Sequence, residues 1–137
     1  MTYSALRRGP GGRPTVQAYS NIGLETKVFS ASPEELIAML IDGARAAVIK
    51  ARLHLENNQI AERGESISKA INIVESGLKA AVNKEKGGDI AEQLITTYDL
   101  IVYHLMQANL HADVERLNLA EQMLTTLGDT WKEATKK

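Results

Sequence analysis

Ser32-Pro33-Glu34-Glu35-Leu36-Ile37 is a helix start written almost in full. The Ser32 hydroxyl can accept a hydrogen bond from an orphan N–H of the first turn, and Pro33 suits the first helical position. Glu35 completes a capping box, and its charge favours the positive helix end. At about 100° per residue, Ile37, Leu40, Ile41, Ala44, Val48, Ala51 and Leu55 fall on one stripe, the width of a core-facing helix. Met39, Ala46, Ile49 and Leu53 make a second apolar stripe near the opposite side, with Asp42 among them. A globular monomer needs only the first stripe, so the second asks for a partner.

Working outward, the pattern stays helical to the end of the chain. The spacing predicts helices over Pro33 to about Asn57, about Gln59 to Asn83, about Gly88 to Leu110 and about Ala112 to Ala134. Asn57-Asn58 and Gly87-Gly88 read as helix ends. The second helix carries Ile60, Ile67, Ile71, Val74, Leu78 and Val82 on its main face, beside a flank of mostly small residues, Ser66, Ala70, Ile73, Gly77 and Ala80, that follow one another at three or four. Gly77 inside a helix costs about 1 kcal/mol against Ala. It reads either as a tolerated defect or as room for close approach of another backbone. The third helix buries Ile90, Leu94, Tyr98, Ile101, Leu105 and Ala108 and broadens through Ile95, Val102 and Met106; the fourth offers Leu117, Ala120, Leu124, Leu127 and Trp131. Helices of roughly 35 Å joined by short connections fold as an all-α, antiparallel up-and-down four-helix bundle. Residues 32–137 are expected to form it. Residues 1–31 read as a flexible arm, punctuated by Gly9-Pro10-Gly11-Gly12-Arg13-Pro14 and able to dock through Tyr19, Ile22, Leu24, Val28 and Phe29.

Composition closes off several functions. The 137 residues fit one domain and need no staple, and without Cys there is neither disulfide nor thiolate metal site. No apolar run follows Arg7, Arg8 and Arg13 as a secretory leader would require, and none approaches bilayer length, so a soluble chain without membrane insertion is expected. A net charge of −1 argues against nucleic acid as partner. The bundle invites a dimetal reading, but the residues three before His54, His104 and His111 are Ala51, Ile101 and Ala108, so the Glu-x-x-His ligand pairs are missing. The Gly/Pro/Arg run lacks the Gly-Lys-Ser/Thr of a P-loop, and no Ser stands in a nucleophile elbow. No enzyme, metal or cofactor is expected. What remains is surplus apolar surface, which marks a partner site. Its candidate contact residues are Tyr19 on the arm; Met39, Asp42, Ala46, Ile49 and Leu53 on the first helix; Ile73 and Gly77 on the second; and Ile95, Val102 and Met106 on the third. Asp42 is either a solvated residue between apolar neighbours or a receptor for donors of a bound segment.

The segments Leu36-Ile37-Ala38-Met39-Leu40-Ile41-Asp42-Gly43-Ala44, Gly64-Glu65-Ser66-Ile67-Ser68-Lys69-Ala70-Ile71-Asn72-Ile73, Gly77-Leu78-Lys79-Ala80, Tyr98-Asp99, Gln107-Ala108-Asn109-Leu110 and Trp131-Lys132 occur in this order over most of the chain. In them the chain resembles the flagellin-specific secretion chaperones of bacteria, the FliS type. Arg7 to Pro14 lies outside that resemblance, and Leu100-Ile101-Val102-Tyr103-His104 is less basic than in relatives. The resemblance implies a cytoplasmic chaperone whose bundle holds the C-terminal segment of flagellin along the outside of its helices. Premature polymerisation is thereby prevented and the segment kept fit for export. It further implies engagement of the flagellar export gate when loaded, with no cofactor or ATP. The free protein is expected to be a monomer or weak dimer. The alternative from another class is a homo-oligomeric structural or regulatory module that buries its second stripe against its own copy.

Overall fold

The structure, a computed structural model, describes residues 31–136. It has four helices and, among the described residues, no strand: α1 (Pro33–Glu56), α2 (Ile60–Asn72), α3 (Lys84–His111) and α4 (Val114–Thr135). The capping box is formed as the residues dictate. Ser32 Oγ accepts from the Glu35 N–H at 3.1 Å, and Glu35 Oε1 accepts from the Ser32 N–H at 2.8 Å. Asn57 caps the other end of α1, and Asn58 turns the chain with a φ of 57°, a conformation Asn tolerates better than most residues. Asp113 opens α4 by accepting from the Glu115 N–H at 3.0 Å.

Two boundaries differ from expectation. α2 does not run to Asn83 as one α-helix: it loosens into a π-helical turn at Ile73–Leu78 and ends in a 3-10 turn at Lys79–Ala81, beyond which Val82 is extended. α3 starts at Lys84, because the Asn83 side chain caps it by accepting from the Lys86 N–H at 3.1 Å. Gly88, at φ 55° and ψ −127°, then breaks α3 internally. This is a conformation open to Gly alone at little cost.

The bundle closes as an up-and-down ring in which α1 packs on α2 and α4, and α3 packs on α4 and α2. Its core is the set the periodicity marks: Leu40, Ile41, Ala44, Val48 and Ala51 from α1, Ile67 and Val74 with Leu78 from α2 and its π turn, Ile101 and Leu105 from α3, Leu117 and Leu124 from α4. Ile60 and Ile90, expected to be buried, are 67% and 68% exposed; Ile60 is the first residue of α2, and Ile90 follows the Gly88 break in α3. Ile71 is half-buried. Polar ties cross the α1/α4 and α2/α3 seams. Arg52 of α1 donates to Glu121 and to Asn118 (3.1 Å) of α4, and Arg63 of α2 donates to the side chain and carbonyl of Asn109 at 3.2 and 3.1 Å. Lys79 pairs with Asp99 at 2.7 Å; that hydrogen bond is the chief reason its ammonium pKa is raised. The Trp131 indole N–H donates to the Glu34 carbonyl at 2.9 Å, which ties the end of α4 to the first turn of α1.

Candidate protein-docking surface

The second stripe of α1 lies where its periodicity puts it, on the outside of the bundle. Leu53 is 53% exposed, Ala46 and Asp42 are exposed, and Met39 and Ile49 are half-buried. Asp42 makes no ion pair among the described residues and faces solvent, so the carboxylate stays wet. Beside this face the α1/α2 seam opens into a depression of about 460 Å³, lined by Gly43, Ala46, Ala47 and Ser66 together with the charged Lys50, Glu65 and Lys69. No large side chain fills it.

Three expected contact residues belong to the core instead. Ile73 and Gly77 face α1, because the small flank of α2 is what lets α1 approach. A Cβ on Gly77 would stand 3.1 Å from both Leu40 methyl carbons, so the glycine makes room for a packed side chain of a neighbouring helix. Val102 is buried because α3 packs on two neighbours and hides a wider arc than one stripe. Ile95 is half-buried, Met106 is 56% exposed, and Tyr19 lies outside the described residues.

Sequence reasoning missed two features. The first is on α3 and α4, where Leu100, Tyr103, Leu110 and Leu119 stand exposed. Here the Arg116 guanidinium lies 5.4 Å over the Tyr103 ring and meets His104 Nδ1 at 3.0 Å. Burial, and then the Arg116 charge, hold the His104 imidazole pKa below its ordinary value, so the neutral ring accepts from arginine. An outward-facing i, i+3, i+7 reading of Leu100, Tyr103 and Gln107 would have found this face.

The second feature is an apolar pocket of about 330 Å³ at one end of the bundle, lined by Ile37, Leu78, Val82, Ile90, Leu94 and Trp131 among others. Those side chains carry core periodicity, but at the bundle end no further turn covers them. Tyr98 also borders the pocket, and burial pushes its phenol up to about 12, so the hydroxyl keeps its proton.

Among the described residues no group of three or more His, Cys, Asp or Glu stands close enough to hold a metal ion, and no helix is long and apolar enough to cross a membrane. The surface offers exposed apolar side chains on the outer faces of a bundle whose core is already closed.

A family model described as "Flagellar protein FliS" matches residues 15–137, starting just beyond the Gly/Pro/Arg run. The chain belongs to the FliS family. Among its relatives is the flagellar secretion chaperone FliS of Salmonella typhimurium, 43% identical over 122 residues, which span 89% of this chain and 90% of that protein. Its Escherichia coli counterpart is 40% identical over 118 residues, 86% and 87% of the two chains. That of Bacillus subtilis is 29% identical over 110 residues, 80% of each. The FliS family is one of chaperones and not of enzymes, which agrees with a surface built for contact and with the resemblance read from the sequence.

Proposed function

We propose that this protein is a cytoplasmic flagellar export chaperone that holds the C-terminal segment of flagellin on the outside of its bundle, preventing premature polymerisation and keeping the segment fit for export. The observation that carries the proposal is the apolar outer face of α1, with Met39, Ile49 and exposed Leu53 beside the open α1/α2 depression, on a chain of the FliS family. Burying such side chains under a partner yields about 1.5–3 kcal/mol for each one fully covered. A bundle already closed by its own core gains nothing by leaving them bare.

A segment laid along the outside would also leave intact the polar ties that cross the α1/α4 and α2/α3 seams. Loaded in this way, the protein would then engage the flagellar export gate. The experiment is filament growth from monomeric flagellin, followed by light scattering with and without an equimolar amount of this protein. Suppressed growth supports the reading, and unchanged growth contradicts it. Scattering of the isolated protein tests the other class of function: an obligate oligomer indifferent to flagellin would favour the homo-oligomeric module.

A further inference from the structure

The apolar end pocket lies where α1 begins. Ile37, in the second turn of α1, is on its wall, and so is Trp131, whose indole N–H donates at 2.9 Å to the Glu34 carbonyl of the first turn. Glu34 and Ile37 are three residues apart and share a face of the helix. Ile90, which is 68% exposed, and buried Tyr98 also line the pocket. Such a wall suits an apolar side chain, and the sequence supplies one beside it. Val28 and Phe29 come shortly before the capping residue Ser32, and Phe29 is the only phenylalanine of the chain.

We infer that Phe29 seats its ring in this pocket, against Trp131 and Ile90, and so anchors the N-terminal residues to the end of the bundle. Phe29 itself lies outside the described residues, and its reach follows from chain geometry. Ile37 lies five residues beyond Ser32, about 7.5 Å along the helix axis, and the three residues back from Ser32 to Phe29 span up to about 11 Å when extended. At Ser32 the backbone is already extended, with φ −74° and ψ 164°. Proximity favours this occupant over a partner's side chain, since a segment tethered so closely acts at an effective concentration on the order of millimolar. It also favours Phe29 over Ile22 and Leu24, because the shorter loop costs less entropy to close. Val28 is the poorer occupant, because an aromatic ring buries more area and pairs with the rings of Trp131 and Tyr98. The anchor is a property of the free protein and stands apart from what the outer face of α1 binds. A partner that displaces residues upstream of Phe29 from another surface would leave the pocket filled.

The test uses the full-length protein, without a partner, carbon-labelled only in its phenylalanine and tryptophan rings, so that Phe29 and Trp131 are the sole sources of signal. Nuclear Overhauser cross-peaks between the two rings are expected, with relative intensities independent of protein concentration. In a second sample carrying 5-fluorotryptophan, Phe29→Ala should move the fluorine resonance of Trp131, whereas Leu24→Ala should leave it in place. Phe29→Ala should also raise the unfolding equilibrium constant in urea about tenfold, as expected for a ring half covered at the mouth of a pocket. Absence of the ring cross-peaks in the wild-type protein would overturn the inference, and that measurement needs no variant to fold. Cross-peaks that strengthen with protein concentration would overturn it in favour of a second copy as occupant. A fluorine resonance that ignores Phe29→Ala and moves when flagellin is added would overturn it in favour of the partner.

Discussion

Leu53→Asp separates the two jobs a side chain on α1 can have. Leu53 is 53% exposed and sits in the last turn of α1, three residues before Glu56. In the free protein the substitution costs about 0.5 kcal/mol of helix propensity and about 0.5 kcal/mol for a negative charge near a helix C-terminus, with up to about 1 kcal/mol more for lost half-burial. The total is about 1–2 kcal/mol, small against a typical stability of about 5–15 kcal/mol. Under a bound segment the exposed half of the leucine, about 1 kcal/mol of further burial, is forfeited, and a carboxylate has to be desolvated at a further several kcal/mol unless it finds a partner. Binding should therefore weaken by about 3 kcal/mol or more, on the order of 150-fold. Urea unfolding followed by circular dichroism gives the first quantity, and calorimetric titration with flagellin gives the second. Val102→Asp is the control: Val102 is 8% exposed within the core, so an unpaired buried charge should unfold the bundle outright. If Leu53→Asp loses as much stability as binding, or binds as wild type does, the outer face of α1 is not where the partner lies.

Trp131→Phe keeps an aromatic ring but loses the hydrogen bond to the Glu34 carbonyl, and urea unfolding should show a loss of about 1 kcal/mol. Because folding depresses the His104 pKa below its ordinary 6.5, the unfolded chain binds the proton more readily. The stabilisation is thus complete above about pH 6.5 and is lost as pH falls through the unfolded value toward the folded one. Comparing stability against pH for wild type and His104→Gln should isolate that component, and an NMR titration should place the His104 midpoint below those of ordinary histidines. Deleting residues 1–28 removes Tyr19, Ile22, Leu24 and Val28. A tethered apolar segment acts at an effective concentration on the order of millimolar, and one that covers the groove about nine-tenths of the time lowers apparent affinity about tenfold. The truncated protein should therefore bind flagellin faster and more tightly and self-associate more readily; weaker binding with unchanged solubility would mean that the arm clamps the bound segment.

What was legible in the sequence followed from local chemistry. The start of α1 needed only Ser32, Pro33 and Glu35, its end only Asn57 and Asn58, and the core stripe only a constant angle per residue. Faces beyond that stripe were harder, because a helix in a four-membered ring touches two neighbours and hides an arc that one helix alone does not define. Val102 was therefore read as outside when it is inside, and so were Ile73 and Gly77, on a flank that α1 itself occupies and in a stretch where α2 changes to π geometry. Ile90 was misread in the opposite direction, since periodicity assigns a face and does not reveal where the neighbouring helices stop. The end pocket was invisible for the same reason: it is made of core residues left uncovered by the lengths of other helices. The outer stripe of α1 was readable because it exceeds what any bundle core requires.

The central claim is that the C-terminal segment of flagellin is what this surface holds. Its most direct test is co-purification of the protein with full-length flagellin and with flagellin lacking that segment. A stable complex with the first and none with the second is expected; equal recovery of both, or of neither, would contradict the account.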